Sequence, residues 1–346
     1  MIRPRACAAI AAWLLVLAGC NAPVAPVEES PAPTPVPAPP APEPLNEAGE
    51  SSWQRLHEQR LNLPSAPDWP KIAERHPSNG APWLRFRAWY VVDEDTGEVL
   101  TAKNAEAVYP IASISKLATA MLWADLEVPG ETEATLTQAD KEYRQITPSR
   151  LRVGGTYRLG DLFYAALLAS DNRAALLLSN STGLGPQSFG AAATLHAGAW
   201  GLDSLVMDDP TGLSPANVAT ARDAARLLHL AAKHPVVGPA MDVPEHAYRR
   251  VDRPVRILAR SSNKLVHMDH WTIRGSKTGF TNLARYCLVF RTKVAGRNIT
   301  AALLGARKPE RRYEDAARLR SWIESLPLPE TKTPQAPTAA REEQTH

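Results

Sequence analysis

A chain of 346 residues with 44% hydrophobic content is long and apolar enough to bury one large core or two small ones. Its net charge is only +3 and is too scattered to argue for a nucleic-acid partner, and none is expected. The 31 prolines cluster, marking off segments that build no core.

Residues 1–19 read as a secretion signal. Arg3 and Arg5 form a short basic start, and the apolar stretch 6–16 is too short to span a bilayer as a mature helix. It ends in Leu17-Ala18-Gly19-Cys20, which resembles a bacterial lipobox. That resemblance implies cleavage before Cys20, lipidation of Cys20 and membrane attachment. Asn21, standing where Asp would retain the chain, implies sorting to the outer membrane of a Gram-negative periplasm. Cys7 leaves with the signal and Cys20 carries lipid. Cys287, inside the apolar run Tyr-Cys-Leu-Val-Phe, remains as a thiol expected to be buried and structural.

Residues 20–50 form the lipid anchor and a tether. Positions 22–44 are mostly Pro, Ala, Val and Glu, a composition that favours extended polyproline structure and a reach of roughly 70 Å. Residues 51–82 are an N-terminal extension. Within it, 51–63 reads as a short helix with Trp53, Leu56 and Leu63 as packing residues.

Residues 83–326 hold the domain proper. Strands are expected at 87–92 and 98–102 around Asp93-Glu-Asp-Thr-Gly97, a turn-rich connection. Next comes Pro110-Ile-Ala-Ser-Ile-Ser-Lys-Leu, where Leu117, Ala120, Met121 and Ala124 recur at helical spacing. Lys116 then lies one turn along from Ser113 on the same face. Ser113 falls at the helix N-terminus, where unpaired N–H groups and the dipole favour negative charge. Taken alone, the pair also reads as a serine cap and a solvated lysine.

A mixed region runs to Gly154-Gly155. Residues 159–169 read as a buried helix delivering Ser170 and Asn172, in Ala169-Ser-Asp-Asn, at its end. Asp171 between them is expected to serve structure. A second helix is expected at 173–178. Residues 220–232 form an amphipathic helix, with Thr220-Ala-Arg-Asp223 resembling a capping box. Strands are expected at 271–278, 285–293 and 298–304, the last two joined by a tight hairpin at Ala295-Gly-Arg297. Lys277-Thr278-Gly279 lies in the first of them. A final helix spans 310–325, and 327–346 reads as a disordered tail. Strands, a helical middle, an antiparallel meander and a last helix predict an α/β fold, an antiparallel sheet flanked by helices plus a helical subdomain. His267-Met-Asp-His270 supplies only a partial ligand set, so no metal and no cofactor are expected.

Ser113-x-x-Lys116, Ser170-x-Asn172 and Lys277-Thr-Gly279, in that order, make the motif set of penicillin-binding proteins and class A β-lactamases. With Ser149-Arg-Leu-Arg-Val-Gly, Pro210-Thr-Gly-Leu-Ser, Lys277-Thr-Gly-Phe-Thr-Asn and Arg318-Leu-Arg-Ser-Trp-Ile, the chain resembles a low-molecular-mass penicillin-binding protein. The resemblance is to the D-alanyl-D-alanine carboxypeptidase/endopeptidase family, and within it to the penicillin-binding protein 7 type. It implies the transpeptidase fold shared with serine β-lactamases, peptidoglycan stem peptides as substrate and β-lactams as covalent inhibitors.

The resemblance also implies roles. Ser113 is the nucleophile and forms an acyl-enzyme, with Lys116 as its base. Lys116 can serve only when neutral, so burial or a nearby cation such as Lys277 has to lower its pKa. Ser170 relays a proton to the leaving amine, and Asn172 holds Lys116 and the substrate amide. Lys277, Thr278, Gly279 and Phe280 form the substrate-binding strand: Lys277 and Thr278 grip a carboxylate, and the N–H groups of Ser113 and Phe280 form the oxyanion hole. The chain departs from the family at Ala284-Arg285, where Ala-Gly is usual, which bears on specificity.

Three alternatives stay open. A carboxypeptidase cuts the same linkage as an endopeptidase. A class A β-lactamase uses a glutamate after Ser-Asp-Asn, and none occurs between Tyr143 and Pro244. A non-catalytic lipoprotein that binds wall peptides or β-lactams has no need of Lys116, Asn172 and Lys277.

Overall fold

The computed structural model describes residues 64–72, 80–145 and 148–327. The expected signal at 1–19, Cys20 with the tether at 20–50, the helix at 51–63 and the tail beyond 327 lie outside the described residues, as does much of the extension at 51–82.

In chain order the elements are β1 (Ala88–Asp93), β2 (Val99–Lys103), β3 (Tyr109–Pro110), a 3-10 turn (Ala112–Ser115), α1 (Lys116–Asp125), β4 (Glu133–Thr135), α2 (Gln138–Glu142), β5 (Thr156–Arg158), α3 (Leu159–Leu167), α4 (Asn172–Ser181) and α5 (Gly185–Ala199). There follow β6 (Val218–Ala219), α6 (Ala221–Lys233), α7 (Val237–Asp242), β7 (Glu245–Arg249), β8 (Arg256–Arg260), β9 (Ile273–Thr281), β10 (Arg285–Val294), β11 (Arg297–Ala306) and α8 (Arg311–Glu324).

The main sheet has the order β2-β1-β11-β10-β9, antiparallel throughout. Successive strand residues point to opposite faces, and here both faces are covered. Ala88, Tyr90 and Val92 of β1 join the larger core with Leu117 of α1 and Leu228 of α6. Trp89 and Val91 face the other way and join Leu303, Phe290 and Leu319 of α8. This is why β1 reads as an unbroken apolar run. The hairpin between β10 and β11 turns at Ala295 and Gly296, both with positive φ, as a tight two-residue turn requires.

Among the described residues the expected elements are present, with bounds shifted by a few residues. The buried helix of residues 159–169 stops at Leu167, and Ser170 sits in a left-handed conformation beyond it. Asn172 accordingly opens α4 rather than closing α3. Half of the expected capping box forms: Thr220 Oγ1 accepts the Asp223 N–H at 3.1 Å. The Asp223 carboxylate turns away from the cap and takes Ser204 Oγ at 2.7 Å and Arg226 Nη1 at 2.7 Å, two donors that compete with the backbone. Cys287 is buried, and burial pushes its thiol up to about 12.

Candidate active site

The site is built around the 3-10 turn of Ala112–Ser115. Ala112 enters it at φ +49°, a left-handed conformation that costs an L-residue roughly 1–2 kcal/mol. The chain then runs straight into α1, so Ser113 and Lys116 stand one turn apart. Ser113 is half-buried and Lys116 is fully buried.

Lys116 Nζ lies 3.0 Å from Ser113 Oγ and 2.6 Å from Asn172 Oδ1, and it also donates to the Thr211 carbonyl in a short contact. A neutral amine has two N–H donors and one lone pair. Two of the three neighbours, Asn172 Oδ1 and the Thr211 carbonyl, accept only. The lone pair is thereby left for the Ser113 hydroxyl, the geometry of a base beside a nucleophile. Electrostatics agree: burial lowers the Lys116 pKa to about 7, against the opposing pull of Asp209 and Asp171. Of the two causes expected, burial or a nearby cation such as Lys277, burial is the one that lowers it. Lys277 is itself held well below the ordinary lysine value by burial, then by Lys116 and Arg312.

The Thr211 carbonyl is aimed by a loop, 208–217, in which the sequence shows a motif but no role. Asp209 is buried and gathers the loop onto one carboxylate. It accepts from Thr211 N at 2.6 Å, Thr211 Oγ1 at 2.8 Å, Gly212 N at 2.7 Å and Ser214 N at 2.8 Å. Asn217 closes the other side, taking the Asp208 N–H at 2.8 Å and donating to the Asp209 carbonyl at 2.8 Å. Arg144 pairs with Asp208 at 2.7 Å and with Asp209 at 3.3 Å.

Strand β9 brings Lys277, Thr278, Gly279 and Phe280 to the same turn. A Cβ on Gly279 would lie 2.8 Å from the Ile111 carbonyl and 3.3 Å from Ser113 N, so only glycine lets the strand approach. Lys277 and Thr278 are buried, and Lys277 Nζ donates to the Thr278 carbonyl at 3.2 Å. Phe280 is exposed and stacks on Tyr286 with ring centroids 4.3 Å apart. Ser262, absent from the sequence reading, ties two motifs together. Its N–H donates to the Leu168 carbonyl at 2.8 Å, and its Oγ lies 2.6 Å from Thr278 Oγ1.

Asp171 caps α4, accepting from Arg173 N at 2.9 Å and Ala174 N at 3.2 Å, and it takes Ser149 Oγ at 2.6 Å. Its role is structural, as expected. Ser170 is half-buried and lines a cavity with Asp171 and Tyr248. Among the described residues no hydrogen bond joins it to Ser113 or Lys116. Arg285 is exposed and left-handed at φ +60°, which gives a physical reason for the glycine usual there.

Residues 76–308 match the D-alanyl-D-alanine carboxypeptidase family, peptidase family S11. The chain belongs to that family. It is a serine peptidase, and its Ser113 hydroxyl and Lys116 amine lie 3.0 Å apart. Among curated members, it is 32% identical to the D-alanyl-D-alanine endopeptidase of Escherichia coli K12, over 78% of this chain and 88% of that one. It is 36% identical to the D-alanyl-D-alanine endopeptidase of Pseudomonas aeruginosa, over 68% of this chain and 76% of that one. In fold it is similar to a D-alanyl-D-alanine carboxypeptidase from Mycobacterium tuberculosis, with TM-score 0.64 and 24% identity over 76% of this chain and 98% of that one. The Streptomyces K15 DD-transpeptidase is likewise similar, with TM-score 0.64 and 22% identity over 71% of this chain and 99% of that one. The expected fold, an antiparallel sheet with flanking helices in the transpeptidase class, is the one observed.

Proposed function

We propose that the protein is a D-alanyl-D-alanine endopeptidase that cuts peptide cross-links in peptidoglycan. The observation that carries this reading is the Lys116 amine: buried, flanked by two acceptors, and turned to Ser113 Oγ at 3.0 Å. The names of the two curated relatives above 30% identity support endopeptidase over carboxypeptidase.

In this mechanism Ser113 Oγ attacks the carbonyl of the D-alanyl linkage and passes its proton to Lys116 Nζ. The N–H groups of Ser113 and Phe280 hold the oxyanion. Ser170 relays the proton from Lys116 to the leaving amine, the C–N bond breaks, and a Ser113 ester remains. Water then hydrolyses the ester, with Lys116 again as base. Lys277 and Thr278 bind a substrate carboxylate, whose negative charge favours the charged form of a lysine whose pKa burial lowers. The same reading assigns residues 1–19 to a signal, Cys20 to a lipid anchor and 20–50 to a tether. It places the peptidase domain, 83–326, in the periplasm.

Purified cross-linked peptidoglycan, digested and resolved into fragments, tests the proposal. Dimers converted to monomers are expected. Release of terminal D-alanine alone would make the enzyme a carboxypeptidase. A Ser113→Ala protein that still cuts would remove the nucleophile from the reading.

A further inference from the structure

The Ser170 loop opens onto a groove that the mechanism above does not use. Residues 148–152 form one wall and the β7–β8 ribbon forms the other. Two adjoining cavities of about 430 and 440 Å³ make it up, sharing Ser149, Arg150, Ile257 and Leu258. The second reaches Ser170, so the inner end of the groove is the catalytic loop itself.

Its charge is one-sided. Five arginines line the groove, Arg150, Arg152, Arg250, Arg256 and Arg260, while residues 148–158 and 245–260 carry two carboxylates, Glu245 and Asp252. Both carboxylates are already engaged: Glu245 with Arg260 at 3.2 Å, and Asp252 with Arg250. Asp171 also lines the groove but is occupied as the α4 cap. Arg150 braces the ribbon through Nη1 to the Leu258 carbonyl at 2.6 Å. Among the described residues, Arg152 and Arg256 meet no carboxylate, although both line the groove and both are exposed. Guanidinium stays charged at any working pH, and its planar fork matches a carboxylate in two parallel hydrogen bonds.

We infer that this arginine groove is a subsite for the free carboxylates of an acidic peptide lying across Ser113, namely the stem of the wall substrate. The inference rests on the peptidase reading, because a cross-linked stem extends beyond the cleaved bond and carries carboxylates there. The groove ends at Ser170, which favours a peptide already in the site over a membrane surface.

The full-length Ser113→Ala protein, unable to form the ester, is titrated with a soluble cross-linked muropeptide. It is then titrated with the same peptide after amidation of its carboxylates. The acidic form is expected to bind about tenfold tighter, about 1.4 kcal/mol. R152A with R256A should erase that difference and leave the Kd of the amidated peptide in place. R152K with R256K, which keeps the charge, should restore part of it, so a folding defect is told apart from a lost contact. Equal affinity for the two peptides, or a variant that weakens both alike, would overturn the subsite. So would arginine-dependent sedimentation with phosphatidylglycerol vesicles and no arginine-dependent choice between the peptides. Cleavage by the wild-type chain is scored separately. Arginine-dependent binding without cleavage supports the groove and sinks the endopeptidase reading, whereas cleavage without arginine dependence overturns the groove alone.

Discussion

Asp209 holds Thr211 twice, taking its N–H at 2.6 Å and its hydroxyl at 2.8 Å, and so points the Thr211 carbonyl at Lys116. The same carboxylate opposes the burial that lowers the Lys116 pKa. Asp209→Asn keeps one acceptor oxygen but turns the other into a donor facing Ser214 N, which costs about 1–3 kcal/mol of stability. Removing the charge also lets burial act unopposed by this group, so the pH midpoint of penicillin acylation should move down. A midpoint that stays put would show that the Asp209 charge does not set the amine.

Acylation itself should follow Lys116. Its folded pKa is lowered to about 7, so the amine is protonated and inactive below that pH and neutral and active above it. The rate of penicillin labelling should therefore rise through about pH 7 and level off. Lys116→Ala should lower the plateau by about 10²–10⁴ and flatten the rise, since a positioned base is worth that much. Stopped-flow labelling across pH measures both, and a rise that survives in Lys116→Ala would assign the titration to another group.

Penicillin should label rather than be consumed. The ring keeps the leaving group in the site, and no glutamate between Tyr143 and Pro244 is present to activate a deacylating water. Mass spectrometry after brief exposure should show one added drug mass on the peptide containing Ser113. Rapid multiple turnover would instead describe a β-lactamase.

Gly279→Ala should harm the site more than the fold. The new methyl meets the Ile111 carbonyl at 2.8 Å, so β9 has to retreat from the Ser113 turn. Overpacking of this kind costs about 1–3 kcal/mol, while a misplacement of about 1 Å in an oriented site costs about 10²-fold in rate. Labelling at the wild-type rate would mean that the strand accommodates the methyl without moving.

Arg285→Gly should raise stability slightly. Left-handed backbone costs an L-residue about 1–2 kcal/mol, and glycine's extra freedom in the unfolded chain returns about 0.5–1 kcal/mol of that. A Tm higher by a few degrees is expected, with the fragment ratio from cross-linked and tail-truncated peptides shifted if the guanidinium reaches substrate. A fall in Tm would show that the exposed side chain holds the turn.

The chemistry-bearing side chains were legible because each motif couples a reactive group to a fixed local spacing. Ser113 and Lys116 are one turn apart on any helix, and Lys277 to Gly279 lie in a run whose apolar flanks mark a strand. The Thr211 carbonyl was not legible, since a backbone acceptor has no side-chain signature and its aim depends on Asp209 and Asn217 folding the loop. Ser262 was hidden for a related reason: its partners, Leu168 and Thr278, are brought to it only by the tertiary fold. Helix α5 escaped because Gly185–Ala199 is rich in small residues and shows little contrast between faces. The β7–β8 ribbon alternates charge and apolar groups over short stretches, and Pro254 in its connection reads as loop.

The pairing of β1 with β11 sets a clock on this enzyme. Val91 pairs with Ala301 far along the chain, and Gly279 packs against the Ser113 turn from β9, which pairs with β10. Contacts so distant in sequence form late, because the loop has to close before any of them contributes. A chain in which these strands have not yet paired therefore holds Ser113 beside an unfinished site. Peptidase activity is therefore expected only once almost the entire domain has folded, which a pulse-refolding assay of penicillin labelling would check.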